Sequence, residues 1–240
     1  MNISRDHAFR LQYTIHPWTQ DAIIEEVVRN GYTSKEQPFW IKYDVRSVDH
    51  SSLWSSYHEE PAPGDFFYRL YPLAEWYWET NSVTPLIMPL AMEVEHLFTK
   101  MTRIKVFIQK PGEPIAAHRD LVPGNRYEHI GSEYEARVGQ YSGVYRGHRN
   151  LVMSENTRHR DQKYLTLKIP LSAQPDNPGK PFIIAKDGER QYLMSDDNFY
   201  FLNEYDMFHG CDAVDFYRGV LFIDGILDME ALEAEPKLDF

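Results

Sequence analysis

Apolar positions recur at helical spacing twice in the first hundred residues, and at alternating spacing through most of the remaining chain. Ile23, Ile24, Val27 and Val28 form one face of a segment 19–30, with Thr19 placed to cap its start and Gly31 just past its end. That pattern predicts a helix. Leu90, Val94, Leu97, Phe98 and Met101 repeat the spacing after Pro85 and Pro89, which predicts a second helix over 90–101. Between the two, Phe39, Ile41, Tyr43 and Val45 alternate as a strand would, and 49–65, rich in Ser, Pro and acidic residues, reads as loop. Beyond Met101 the strand period dominates, over 103–109, 164–171, 181–185, 191–194, 199–202 and 217–226. Turn-forming clusters such as Asp176-Asn177-Pro178-Gly179 separate these runs. Short strands so punctuated predict an antiparallel sandwich or barrel.

The pattern predicts one α+β domain over 1–240 built around a double sheet. It has a helical and mixed layer (1–100), a β-rich core (101–227) and a tail (228–240) that is either a short helix or disordered. Residues 123–163 interrupt the core with few apolar runs, and connections of that length usually carry function or disorder.

Composition narrows the function. A 14% aromatic share suits half-buried sheet. A net charge of −11 without a basic stripe argues against nucleic-acid binding. The locally basic stretch 146–163 is broken by Glu155 and Asp161 and reads as a polar loop. The single cysteine, Cys211, excludes an intramolecular disulfide and a CxxC-type zinc site. No apolar run approaches the roughly 18 residues of a membrane span, and residues 1–6 lack a signal peptide's apolar region. A cytoplasmic, reducing setting is expected.

His118-Arg119-Asp120 follows a Pro111-Gly112 turn. On a strand, residues i and i+2 project to the same face, so His118 and Asp120 can grip one ion. With a distant second imidazole they make the two-His, one-carboxylate triad that leaves positions open on Fe(II). His209 is the candidate for that imidazole. Arg218, nine residues later at the head of an apolar strand, suits the far end of a metal-chelating dicarboxylate. A hairpin would bring His209 and Arg218 to one barrel mouth. The tripeptide recurs at His159-Arg160-Asp161, among Thr157, Arg158, Gln162 and Lys163, a solvated setting that favours the first copy. Taken singly, each residue has an ordinary explanation as a turn or surface group; in this order together they point to a metal centre.

Pro111-Gly112, Ile115, His118 and Asp120, then Leu167-Lys168-Ile169-Pro170-Leu171, then His209, Arg218 and Leu221-Phe222-Ile223-Asp224 resemble the aspartyl/asparaginyl β-hydroxylase family. Its broad group includes the bacterial proline cis-hydroxylases. The resemblance covers about residues 85–227 and implies a double-stranded β-helix, a cupin-like jelly roll backed by N-terminal helices. It implies an Fe(II)- and 2-oxoglutarate-dependent dioxygenase, with His118, Asp120 and His209 on iron and Arg218 on the distal carboxylate of 2-oxoglutarate. The expected reaction hydroxylates a C–H bond of a free amino acid or a peptide side chain, consuming dioxygen and releasing succinate and CO2. The family often carries Arg-x-His where this chain has Thr166-Leu167-Lys168, which leaves a second 2-oxoglutarate contact unassigned.

The insert 123–163 reads as a lid or substrate loop, with Arg126 and Tyr127 as substrate-binding candidates. Asn203 is a further substrate-binding candidate, and with Glu204 it also stands to orient the ligands from upstream of His209. Two alternatives stay open: the same mechanism on another small metabolite or acyl chain, and a jelly-roll binding module without catalysis.

Overall fold

Strict alternation along one long strand divides the molecule into its two faces. In Phe98–Gln109, Ile104, Val106 and Ile108 are fully buried, while Arg103, Lys105 and Phe107 between them are half-buried. A computed structural model describes residues 8–33, 35, 37–48, 76–118, 164–171, 181–184, 188–193, 198–202 and 208–238. In chain order its first strands are β1 (Ala8–Leu11), β2 (Trp40–Val48), β3 (Trp76–Trp78), β4 (Phe98–Gln109), β5 (Ile115–His118) and β6 (Tyr164–Pro170). They continue as β7 (Pro181–Ile184), β8 (Arg190–Tyr192), β9 (Tyr200–Leu202), β10 (His209–Cys211), β11 (Arg218–Leu227) and β12 (Lys237–Leu238). The helices are α1 (Pro17–Asn30), α2 (Thr84–Glu93) and α3 (Met229–Ala234).

The strands form two antiparallel sheets, an eight-stranded one in the order β12-β1-β9-β6-β11-β4-β2-β3 and a four-stranded one in the order β5-β10-β7-β8. One face of the large sheet presents Ile41, Ile104, Val106, Leu167, Leu221 and Ile223 to Ile23 and Val27 of α1 and to Ile87 and Ala91 of α2. Each fully buried aliphatic side chain there contributes about 1.5–3 kcal/mol through removal from water. The other face meets the small sheet: Trp40 packs with Ile115 and Cys211, and Tyr200 and Leu202 pack with Ile183. The result is mostly antiparallel sheet in two layers with few helices. Among the described residues no helix is long and apolar enough to cross a membrane.

Several sequence expectations shift. The first helix starts at Pro17, capped by the His16 ring, which accepts from the Trp18 amide at 3.2 Å, so Thr19 lies inside the helix. The expected helix over 90–101 is displaced. Asn81 Oδ1 accepts from the Val83 and Thr84 amides at 3.0 and 2.9 Å, Pro85 takes the first turn, and α2 ends at Glu93. A short 3-10 turn follows over Glu95–Leu97. Residues 98–101 are strand because they pair with Leu227, Ile226 and Gly225 of β11. A short apolar run fits either period, and the available ladder partner decides. The tail forms α3, capped by Asp228 accepting from the Ala231 amide at 3.1 Å, and then the edge strand β12. The strand readings hold to within a few residues, but the pattern missed β1, β3, β10 and β12. The loop expectation for 49–65 and the insert 123–163 lie outside the described residues.

A buried carboxylate ties three central strands together. Asp224 of β11 pairs with Arg103 of β4 and accepts from Thr166 Oγ1 of β6 at 2.6 Å, and its backbone carbonyl accepts from Thr102 Oγ1 at 3.0 Å. We expect Asp224→Ala to destabilise the fold by about 2–4 kcal/mol, since a buried charge and a hydroxyl lose their partner. The partial exposure of Arg103 keeps the figure below that of a fully enclosed pair. The shift in denaturant midpoint measures it.

Candidate functional site

The turn after β4 is built to bring β5 and β10 together. Gly112 takes a left-handed φ of 77°, and its amide donates to Val214 O at 2.7 Å. The fully buried Gln109 donates from Nε2 to Glu113 O at 2.7 Å and to Asp212 O at 3.1 Å. One side chain thus ties the chain entering β5 to the chain leaving β10. Gly210 completes the approach, because a Cβ there would stand 2.6 Å from Ile115 O and 2.7 Å from the Phe182 ring.

Within that pairing His118 and His209 stand directly opposite one another. Their ring centroids are 4.5 Å apart at an interplanar angle of 48°. His118 Nδ1 lies 2.8 Å from Ala116 O, so Nδ1 carries the proton and Nε2 carries the lone pair a metal needs. His209 is buried.

Arg218 is 6% exposed, although it carries a full charge. It opens β11 in register with Gln109, which in turn pairs with Trp40 of β2. Among the described residues it makes no hydrogen bond or ion pair. It lines an inter-sheet cavity of about 210 Å³ that His118 and His209 line from the opposite sheet. A desolvated guanidinium facing a cavity is a receptor for an anion. The hairpin expected between His209 and Arg218 is not what joins them: β10 and β11 belong to different sheets, and residues 212–217 cross from one to the other.

Asp120 lies outside the described residues, as do Arg126, Tyr127, Asn203, Glu204 and the second candidate pair, His159 and Asp161. Among the described residues no group of three or more His, Cys, Asp or Glu side chains gathers in metal-binding geometry. Trp76 and Trp78, on β3 at the sheet edge, are half-buried, Tyr77 is exposed, and none of the three lines the cavity. Sequence reasoning missed Gln109, and it missed the cations Lys42, Arg103, Lys105 and Lys168 on the same wall. The signal for the cations was present: in β2, β4 and β6 each alternates with the apolar residues of the core.

Asp44 and Tyr32 orient one of these cations. Lys105 Nζ pairs with Asp44 at 2.7 Å, and Tyr32 donates to the same carboxylate at 3.1 Å. Partial burial of the phenol, and then the neighbouring carboxylate, push Tyr32 up to about 12, so it stays a donor.

No family model matches the chain, and no curated protein matches it. Solved structures are similar to it at low identity. A 2OG-Fe(II) oxygenase family oxidoreductase from Burkholderia pseudomallei has a TM-score of 0.46 at 7% identity, covering 87% of this chain and 77% of that one. A Pseudomonas putida prolyl-4-hydroxylase has a TM-score of 0.42 at 10% identity, covering 92% of both chains. HygX from Streptomyces hygroscopicus, solved with nickel, 2-oxoglutarate and hygromycin B, has a TM-score of 0.44 at 10% identity, covering 93% of this chain and 87% of that one. At TM-scores below 0.5 these likenesses carry no chemistry across, and the reading of the site stands on its own residues.

Proposed function

We propose that this chain is an Fe(II)- and 2-oxoglutarate-dependent dioxygenase on a double-stranded β-helix, hydroxylating a C–H bond of a free amino acid or of an amino-acid side chain in a peptide. The observation that carries the reading is the placement of two opposed imidazoles and a buried guanidinium, which has no partner among the described residues, across one cavity. The donor set fits the group: two imidazoles, one with its tautomer fixed for metal binding, suit a borderline ion such as iron. In this reading His118 and His209 hold the metal, with Asp120 as the third ligand.

When bound, iron and 2-oxoglutarate supply oxidative hydroxylation, with succinate and CO2 as co-products. The chain's own residues supply position and shelter. The Ala116 carbonyl holds the His118 ring in one tautomer and orientation. Arg218 offers two parallel N–H donors to the distal carboxylate of 2-oxoglutarate. Trp40, Phe107, Phe182 and Phe222 wall the cavity with apolar surface that excludes water.

The test is succinate formation from 2-oxoglutarate by anaerobically iron-loaded protein on exposure to air, with and without a panel of free amino acids. Stimulation by one amino acid supports the hydroxylase reading and names the substrate. Slow uncoupled turnover keeps the oxygenase and moves the substrate to peptides or other metabolites. No turnover with verified bound iron overturns the reading in favour of a binding module.

A further inference from the structure

Two crossings carry the chain between the sheets. Residues 110–114 lead from β4 in the large sheet to β5 in the small one, and residues 212–217 lead back from β10 to β11. His118 and His209 lie on the small sheet and Arg218 on the large one. The gap between the imidazole pair and the guanidinium is therefore set by how the crossings hold one sheet against the other.

Gln109 is joined to each piece that defines this gap. Its backbone lies in register with Arg218 of β11 on one side and with Trp40 of β2 on the other. Its Nε2 donates to Glu113 O at 2.7 Å on the outgoing crossing and to Asp212 O at 3.1 Å on the returning one. The crossings are tied to each other by the Gly112 amide, which donates to Val214 O at 2.7 Å. They are tied to the small sheet through the Asp212 carboxylate, which accepts from Arg190 Nη1 at 2.7 Å and from the Tyr192 hydroxyl at 2.6 Å, both on β8. The Gln109 amide ties them to the large sheet, beside Arg218. The β5–β10 ladder already keeps the two rings opposed, so the clamp acts on their distance from Arg218.

Packing alone does not explain a glutamine here. The residue is fully buried, and among the described residues its Oε1 has no hydrogen-bond partner. A buried acceptor left unmade is destabilising, and a methionine would fill similar space without one. What the amide adds is its two donor bonds. We propose that Gln109 is a positioning residue that fixes the span from the imidazole pair to Arg218, and through that span selects the five-carbon 2-oxo diacid over its shorter and longer homologues. This assignment rests on the dioxygenase reading and adds to it the residue that sets co-substrate length. A diacid held at its oxo-acid end by the metal meets Arg218 with its far carboxylate only when its length matches the gap, and a site held to within about 0.5 Å resolves such a mismatch.

The experiment uses full-length protein loaded with zinc, which binds without turnover. Oxaloacetate, 2-oxoglutarate and 2-oxoadipate, which differ in steps of one methylene, are titrated into it calorimetrically. Wild type is expected to bind 2-oxoglutarate about tenfold or more tighter than either neighbour, the discrimination one methylene commands in a fitted site. Gln109→Met cannot donate, and its preference is expected to fall to about threefold or less. Gln109→Asn keeps the amide but falls a methylene short of spanning both carbonyls. It is expected to lose the preference likewise, so it answers the question if Gln109→Met fails to fold. Zinc affinity, read by chelator competition, is expected to hold in both variants, because the ladder keeps the rings together. A merely structural glutamine predicts all three diacids weakened alike, since loss of folded protein scales each equally. That outcome overturns the inference, as do an unchanged preference, a wild type that does not prefer 2-oxoglutarate, zinc loss in both variants, or failure of both to fold. In each of these cases 2-oxoglutarate binding by wild type leaves the dioxygenase reading standing. Failure of 2-oxoglutarate to bind the metal-loaded wild type overturns that reading, and the inference falls with it.

Discussion

His209→Ala and His118→Ala are each expected to weaken iron binding by more than about 100-fold. Losing even an outer hydrogen-bond partner of a metal ligand typically costs about 10–100-fold, and loss of a ligand costs more. The two rings approach because β5 and β10 pair in register there. Among the described residues the lining thiol is Cys211, two residues along β10 from His209 and packed among Phe39, Trp40 and Ile115. Chelator competition on anaerobically loaded protein measures the loss directly. His159→Ala is the matched control and is expected to leave iron retention unchanged. Iron retained in His118→Ala and lost in His159→Ala would transfer the site to the second His-Arg-Asp copy. Imidazoles ligate only when neutral, so retention is also expected to fall on acidification.

How much of this was readable before folding depends on the range of the interaction involved. The alternation of β4, β6 and β11 was visible because one face of each is packed against the helices, which forces a period of 2. The helix over 90–101 was misread because its last residues answer to β11, more than a hundred positions away. His118, His209 and Arg218 stood out in sequence through residue type and order, yet the geometry that unites them did not. The spacing predicts a hairpin between His209 and Arg218, whereas a sheet-to-sheet crossing joins them, and it is held by Gln109 bonding to the carbonyl of Asp212. Nothing local marks Gln109 as a clamp. The basic wall was hidden for the opposite reason: Lys42, Lys105 and Lys168 look like the solvent side of amphipathic strands, and only the small sheet turns that side inward.

Arg218→Met separates anchoring of the co-substrate from everything else the site does. The expected result is a loss of about 100-fold or more in 2-oxoglutarate affinity, because two charge-assisted hydrogen bonds vanish together. Iron binding is expected to persist, since Arg218 sits on the sheet opposite the imidazoles. The stability of the ligand-free protein supplies an independent readout. Arg218 is buried with no partner among the described residues, and a buried cation so placed costs folding free energy, so its replacement by an apolar chain of similar length is expected to leave the melting temperature level or raise it. A structural arginine predicts the reverse, a destabilised fold. Adding 2-oxoglutarate at about 100 times its dissociation constant is expected to stabilise metal-loaded wild type by about 2.7 kcal/mol, and the variant at the same concentration by a small fraction of that. Thermal melts of both proteins, with and without 2-oxoglutarate, give all four values. Equal stabilisation of wild type and variant would remove Arg218 from the co-substrate site and leave Lys168, on the neighbouring strand of the same wall, as the cation to test next.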